Sequence, residues 1–229
     1  MASKPRAKAS AGFGKGKAGR RPVRPKSGAG VPLLPVVMGV IVGLLTIGLI
    51  ASIVYLQRPQ SNLTPTVAGI PCDHLEHSTI HYHAAIQIMH GDTVTNIRDN
   101  TGIQMDSAGN ITCYYWLHVH PTQKNIVHIE SPSSLTFTVG QFFDVANQWS
   151  NANGYGPIKL DSTHVATFML QPGEKIVTYV DLNDGKGPTV YEGDPRSIVL
   201  KNHEVITIEV VPSGESASTP PSFTFPSGL

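Results

Sequence analysis

The 229 residues could hold one domain or two small ones, but the first quarter is not built like a globular protein. That leaves about 170 residues, enough for one well-buried core. The net charge of +1 hides an asymmetry: residues 1–30 hold nine Lys or Arg and no acid, whereas the remainder carries −8. A split of this kind reports a topology or a tail and excludes reading the net charge as that of the folded part.

Residues 1–31 are rich in Lys, Arg, Ala, Gly, Ser and Pro, which cannot bury apolar surface, so this segment is expected to be disordered. Its cations suit anionic lipid headgroups at about 1 kcal/mol each. Phe13 is the one aromatic side chain there to stack on a base, and no nucleic acid is expected as a partner. Gly12, Gly14 and Gly16 follow no strand and are not a phosphate loop.

From Leu33 to Leu56 no residue is charged. Residues 32–57 are therefore read as a transmembrane helix, since a run of this length at about 1.5 Å per residue spans a hydrocarbon core of about 30 Å. Pro32 and Pro35 stand where a helix begins, and Tyr55 and Arg58 suit the far interface. The cations before the helix place the N-terminus in the cytoplasm and the rest of the chain outside, a single-pass protein of the cell membrane. A cleavable signal peptide is the competing reading; the run is long for one and no small-x-small site follows. Gly39 and Gly43 form a GxxxG pair, from which a homodimer is expected.

Residues 58–71, with Pro59, Pro65 and Pro71, read as a linker. Cys72 and Cys113 both lie beyond the anchor and are expected to form one disulfide if that side is oxidising; two buried free thiols are the alternative.

Residues 72–211 show period-two patterning with frequent turn residues. The expected strands are His81–Met89, Ile111–His120, Ile126–Glu130, Leu135–Val139, Val165–Leu170, Lys175–Leu182, Thr189–Glu192 and Val205–Val211, with a turn at Asn183-Asp184-Gly185. Phe142, Val145, Ala146 and Trp149 recur at helical spacing and predict a helix from Gln141 to about Trp149. The fold class is thus β-rich α+β or all-β, a sandwich or a grasp-like sheet with one helix. Residues 212–229, rich in Ser, Pro and Gly, should form an extended tail tied down by Phe223 and Phe225.

All ten histidines fall in residues 72–211. Strand residues two apart share a face, so His81 with His83, and His118 with His120, each present two imidazoles side by side. Such pairs are half-sites for zinc or copper, and nickel would suit imidazole as well. Pairing 81–90 with 111–120 end to end sets His81 opposite His120 and His83 opposite His118, with an apolar face behind them. His128 is a further ligand, and His74, His77, Glu130 and His203 are alternative ligands or orienting groups. On a helix, His74, His77 and His81 would share a face as a rival site, and a reduced Cys72 would add a soft ligand. Histidines bonded only to the main chain, a pH sensor, and a membrane-tethered structural or interaction domain without metal are the other readings. An enzyme is the least favoured, as there is no nucleophile elbow, HExxH helix or recognisable acid pair.

The runs Cys113–His120, Ile126–Pro132 and Thr138–Asp144, with Gly193–Arg196 and His203, resemble a group of uncharacterised bacterial membrane-anchored proteins that share a Cys-x-Tyr-Trp-Leu-His-x-His block. The resemblance implies one domain outside a bacterial membrane and brings no activity with it.

Overall fold

The computed structural model describes residues 33–56 and 65–229. The expectations for the basic tail 1–31, and for the first half of the linker, lie outside the described residues. The chain divides into two units, 1–58 and 59–229.

The first unit contains helix α1 (Leu33–Leu56). It is long and apolar enough to cross a membrane between Leu34 and Val54. Its large apolar side chains are exposed all round, with no polar face to set against a soluble core. The hydroxyls of Thr46 and Ser52 donate to the carbonyls of Val42 and Gly48 one turn back, which satisfies them within the helix.

The second unit begins with β1 (Cys72–Asp73), β2 (Ile80–His90), β3 (Thr93–Thr95), β4 (Ile103–Met105), β5 (Ile111–Tyr115), β6 (Leu117–His118) and β7 (Ile126–Ser131). Helix α2 (Val139–Ala152) follows, then β8 (Lys159–Asp161), β9 (His164–Ala166), β10 (Phe168–Met169), β11 (Lys175–Asp181), β12 (Thr189–Val190) and β13 (Val205–Val211). The main sheet has the order β12-β11-β13-β2-β7-β6, with β3 on β2. The β13–β2 pair is parallel and the other pairs are antiparallel. Two three-stranded sheets, β1-β5-β4 and β10-β9-β8, accompany it. The domain is β-rich with one helix.

One face of the main sheet carries Ala84, Ile86, Ile88, Val127, Ile129, Ile206, Ile208 and Val210, which form the core with Phe142, Phe143 and Val145 of α2. Each such aliphatic or aromatic side chain, removed from water, contributes about 1.5–3 kcal/mol. The opposite face is also covered. There the C-terminal segment is fastened by the Ser218 amide, which donates to the Glu209 carboxylate, and by Phe225, whose ring stacks on His203 at 4.7 Å. Phe223 packs edge-on against Phe225. At the other end of the domain Ile70 is buried, and the Tyr115 hydroxyl donates to the Pro65 carbonyl.

Several local expectations are corrected. Helix α2 starts at Val139, because Thr138 and Gln141 form a capping box in which each side chain accepts from the other's amide. The stretch Leu135–Val139 is consequently not a strand; Thr138 makes one isolated bridge, to Val199. The run 111–120 is not continuous either. It breaks at Trp116, so that β5 pairs in a small sheet and β6 in the main one. Val165–Leu170 divides into the short strands β9 and β10, paired with each other. Asn183 and Gly185 both take positive φ, but in a longer connection between β11 and β12 than a two-residue turn. The disulfide between Cys72 and Cys113 is present, closing a separation of 41 residues.

The pairing of 81–90 with 111–120 is the largest correction. Strand β7 lies between β2 and β6. Burial alone could not discriminate, because Val127 and Ile129 offer β2 the same apolar face that Leu117 and Val119 would have offered. The hairpin partner of β6 is β7, joined through residues 119–125.

Candidate metal centre

Strand register places the histidines. His83 is the cross-strand partner of His128, and His128 on its other side is the partner of His118, so three imidazoles stand in a row across β2, β7 and β6. His81 is paired with Glu130 one step along. Directly paired residues point to one face, which here is the face opposite the α2 core. His120 follows His118 after β6 ends and comes back to it, with Nε2 atoms 3.2 Å apart.

His128 is the hub. Its ring centroid lies 4.4 Å from His83, 4.4 Å from His120, 5.4 Å from His118 and 6.3 Å from His81. All five histidines expected as ligands therefore meet at one place. Two overlapping donor sets result: His118, His120, His128 and Glu130; and His81, His83 and His128, the donor atoms of each set lying within 4.8 Å of one another.

A residue absent from the sequence reading completes the first set. Glu76 Oε1 lies 3.1 Å from Nε2 of His120 and 3.4 Å from Nε2 of His118. With the 3.2 Å between the two nitrogens, these atoms form a nearly equilateral triangle. Donors about 2.0–2.1 Å from a tetrahedral zinc ion sit about 3.3 Å from each other, so the triangle has the dimensions of one face of such a coordination sphere. Glu76 lies in the irregular stretch between β1 and β2, where no periodicity marks it. The signal that could have found it is the cystine, which ties the segment beginning at Cys72 to the strand that precedes His118; the antiparallel pairing then carries Asp73 beside Tyr114 before the chain turns back toward β2.

The protonation pattern suits the same end. A carbonyl only accepts, so Nδ1 of the fully buried His118 donates to Tyr115 at 2.8 Å, and Nε2 is the ring atom turned toward Glu76 and His120. A histidine ligand is oriented in this way when its other nitrogen is committed to the main chain. Lone pairs and a carboxylate converging at this range require a cation among them, either a proton or a metal ion. When that cation is a proton on His118 Nε2, the hydrogen bond it donates to Glu76 holds the Glu76 carboxyl below the usual carboxylate range.

Burial favours neutral imidazoles. His83 is pushed down to about 4, first by burial and then by His128 and His81. Burial likewise lowers His120 and His128, with His118 adding to it in each case. Neutral imidazole is the form that ligates metal.

His74, His77 and His203 stand outside the cluster. Nδ1 of His74 donates to the Thr112 carbonyl, Nε2 of His77 donates to Asp73, and Nε2 of His203 donates to the Leu229 carbonyl. The segment before β2 is not helical, so His74, His77 and His81 do not share a helix face. The sulfurs of Cys72 and Cys113 are tied in the disulfide, which removes Cys72 as a thiolate ligand. Gln123, also unanticipated, sets its amide oxygen against Nε2 of His128.

The cluster opens into a depression of about 450 Å³ whose rim includes Pro121, Gln123, Gly228 and Leu229. A larger cavity of about 710 Å³ lies by Tyr191 and Arg196, but it contains neither of the clustered donor sets found among the described residues. Comparison with known proteins finds no matching family model, no matching curated protein and no matching solved structure.

Proposed function

We propose that this protein is a metal-binding module carried on a single membrane-spanning helix, with its histidine-rich domain outside the cytoplasm. The observation that carries the metal reading is the triangle of Glu76 Oε1, His118 Nε2 and His120 Nε2, with edges of 3.1–3.4 Å, beside His128. Imidazole and carboxylate donors without a thiolate favour Zn²⁺ or Cu²⁺ over Cu⁺. The anchor reading rests on the uniform apolar surface of α1 and on the nine cations that precede it. The cystine supports an oxidising compartment for the domain. A main mixed sheet with a helix across one face, accompanied by two small sheets, supports the grasp-like form of the fold over a sandwich.

The test is a titration of the full chain in detergent, purified without a histidine tag, with Zn²⁺ and separately with Cu²⁺. Stoichiometric binding that His118→Ala plus His120→Ala abolishes is expected. Absence of binding of either ion at neutral pH would overturn the reading.

A further inference from the structure

The donors gathered around His128 exceed what one ion can use. A tetrahedral zinc site takes four ligands. Five imidazoles and the carboxylates of Glu76 and Glu130 meet here. If Glu76, His118 and His120 serve one ion, then His81, His83 and His128 remain as a second set whose donor atoms lie within 4.8 Å of one another.

That second group has the marks of a built site. His83, His128 and Glu130 are each more than nine-tenths buried. Nε2 of His83, Nδ1 of His128 and Oε2 of Glu130 are buried without a hydrogen-bond partner. An unsatisfied polar atom in a protein interior costs about 1–3 kcal/mol, and three at one spot are not expected by chance in a folded domain. The remaining oxygen of Glu130, Oε1, lies 3.4 Å from Nδ1 of His128 and 3.4 Å from Nε2 of His81. The carboxylate thus stands between two imidazoles from neighbouring strands, and the His81 and His83 rings are 5.0 Å apart.

Resting on the metal-binding reading above, we propose that the cluster is a two-ion centre. One divalent cation is held by Glu76, His118 and His120, and a second by His81, His83 and His128, with the Glu130 carboxylate lying beside His81 and His128. A cation at the second position takes up two of the orphaned atoms, His83 Nε2 and His128 Nδ1, with the Glu130 carboxylate close by, whereas a single ion in the Glu76 triangle leaves His83 Nε2 without a partner. His81, half-exposed at the rim, gives this position its access to solvent.

The experiment is elemental analysis of the full chain in detergent after loading with Zn²⁺ and removal of free ion. Two zinc ions per chain are expected, falling to one in His81→Ala and to one in Glu76→Gln. Both residues are partly exposed, so neither change threatens the fold, and Cys72–Cys113 pairing with an unchanged circular dichroism spectrum serves as the check. One zinc per chain in the unaltered protein, retained in His81→Ala, overturns the two-ion proposal and leaves the metal-binding reading standing. One zinc that either substitution removes also overturns it, since a single ion would then be drawing on both sides. No zinc in any form overturns the metal-binding reading itself.

Discussion

Glu76 Oε1 lies 3.1 Å from Nε2 of His120, and this contact joins an irregular loop before β2 to the residues just after β6. Replacing the carboxylate by an amide keeps the shape and removes the charge. Glu76→Gln is expected to weaken Zn²⁺ binding at the His118–His120 position by at least about tenfold, read by competition with a chromophoric chelator. Unchanged affinity would mean that Glu76 neutralises protons and does not serve a metal.

The apo domain should lose stability as pH falls from about 6.5 to about 4. In this window an unfolded chain protonates its histidines, while His83, whose value is pushed down to about 4, stays neutral in the native state. The unfolded state then binds more protons, so stability rises with pH there, and the same sign applies to His120 and His128. Glu76, also lowered, extends the loss to more acidic pH. Denaturant midpoints measured with chelator at pH 7.5, 5.5 and 4.5 give the check, and a flat series would contradict buried neutral imidazoles.

Cys72→Ser with Cys113→Ser removes a cross-link over 41 residues. The chain-entropy argument predicts a loss of about 4 kcal/mol, measurable as a drop in thermal midpoint by calorimetry.

Gly102 has φ +83°, and a Cβ there would lie 2.5 Å from the Leu117 carbonyl oxygen. Gly102→Ala should therefore cost about 2 kcal/mol or more. The obstacle is main chain and cannot rotate away, and Leu117 directly precedes His118. Urea unfolding would show the loss, and Zn²⁺ affinity should fall with it.

Much of this was legible from residue types alone. The His-x-His alternation announced one polar face behind an apolar one, the spacing of Phe142, Val145, Ala146 and Trp149 announced α2, and the two cysteines announced their pairing. What could not be read was neighbour order. Strands β6 and β7 present nearly the same apolar pattern to β2, so hydrophobic periodicity leaves the choice of partner degenerate. Only the break at Trp116, whose indole donates to Asp73, diverts 111–115 into another sheet and lets β7 enter beside β2. That insertion converts His128 from a peripheral ligand into the hub. The start of α2 was available, because Thr138 and Gln141 spell a capping box, but alternation in 135–139 masked it. Glu76 carries no periodic signal and becomes visible only once the cystine is used as a distance restraint.

The cystine also couples the candidate site to redox state. It fastens the stretch bearing Glu76 to the strand that leads into His118, so reducing it loosens the tether that holds this acid near the imidazoles. A reduced chain should keep the rings on their paired strands and hold the acid less firmly beside them.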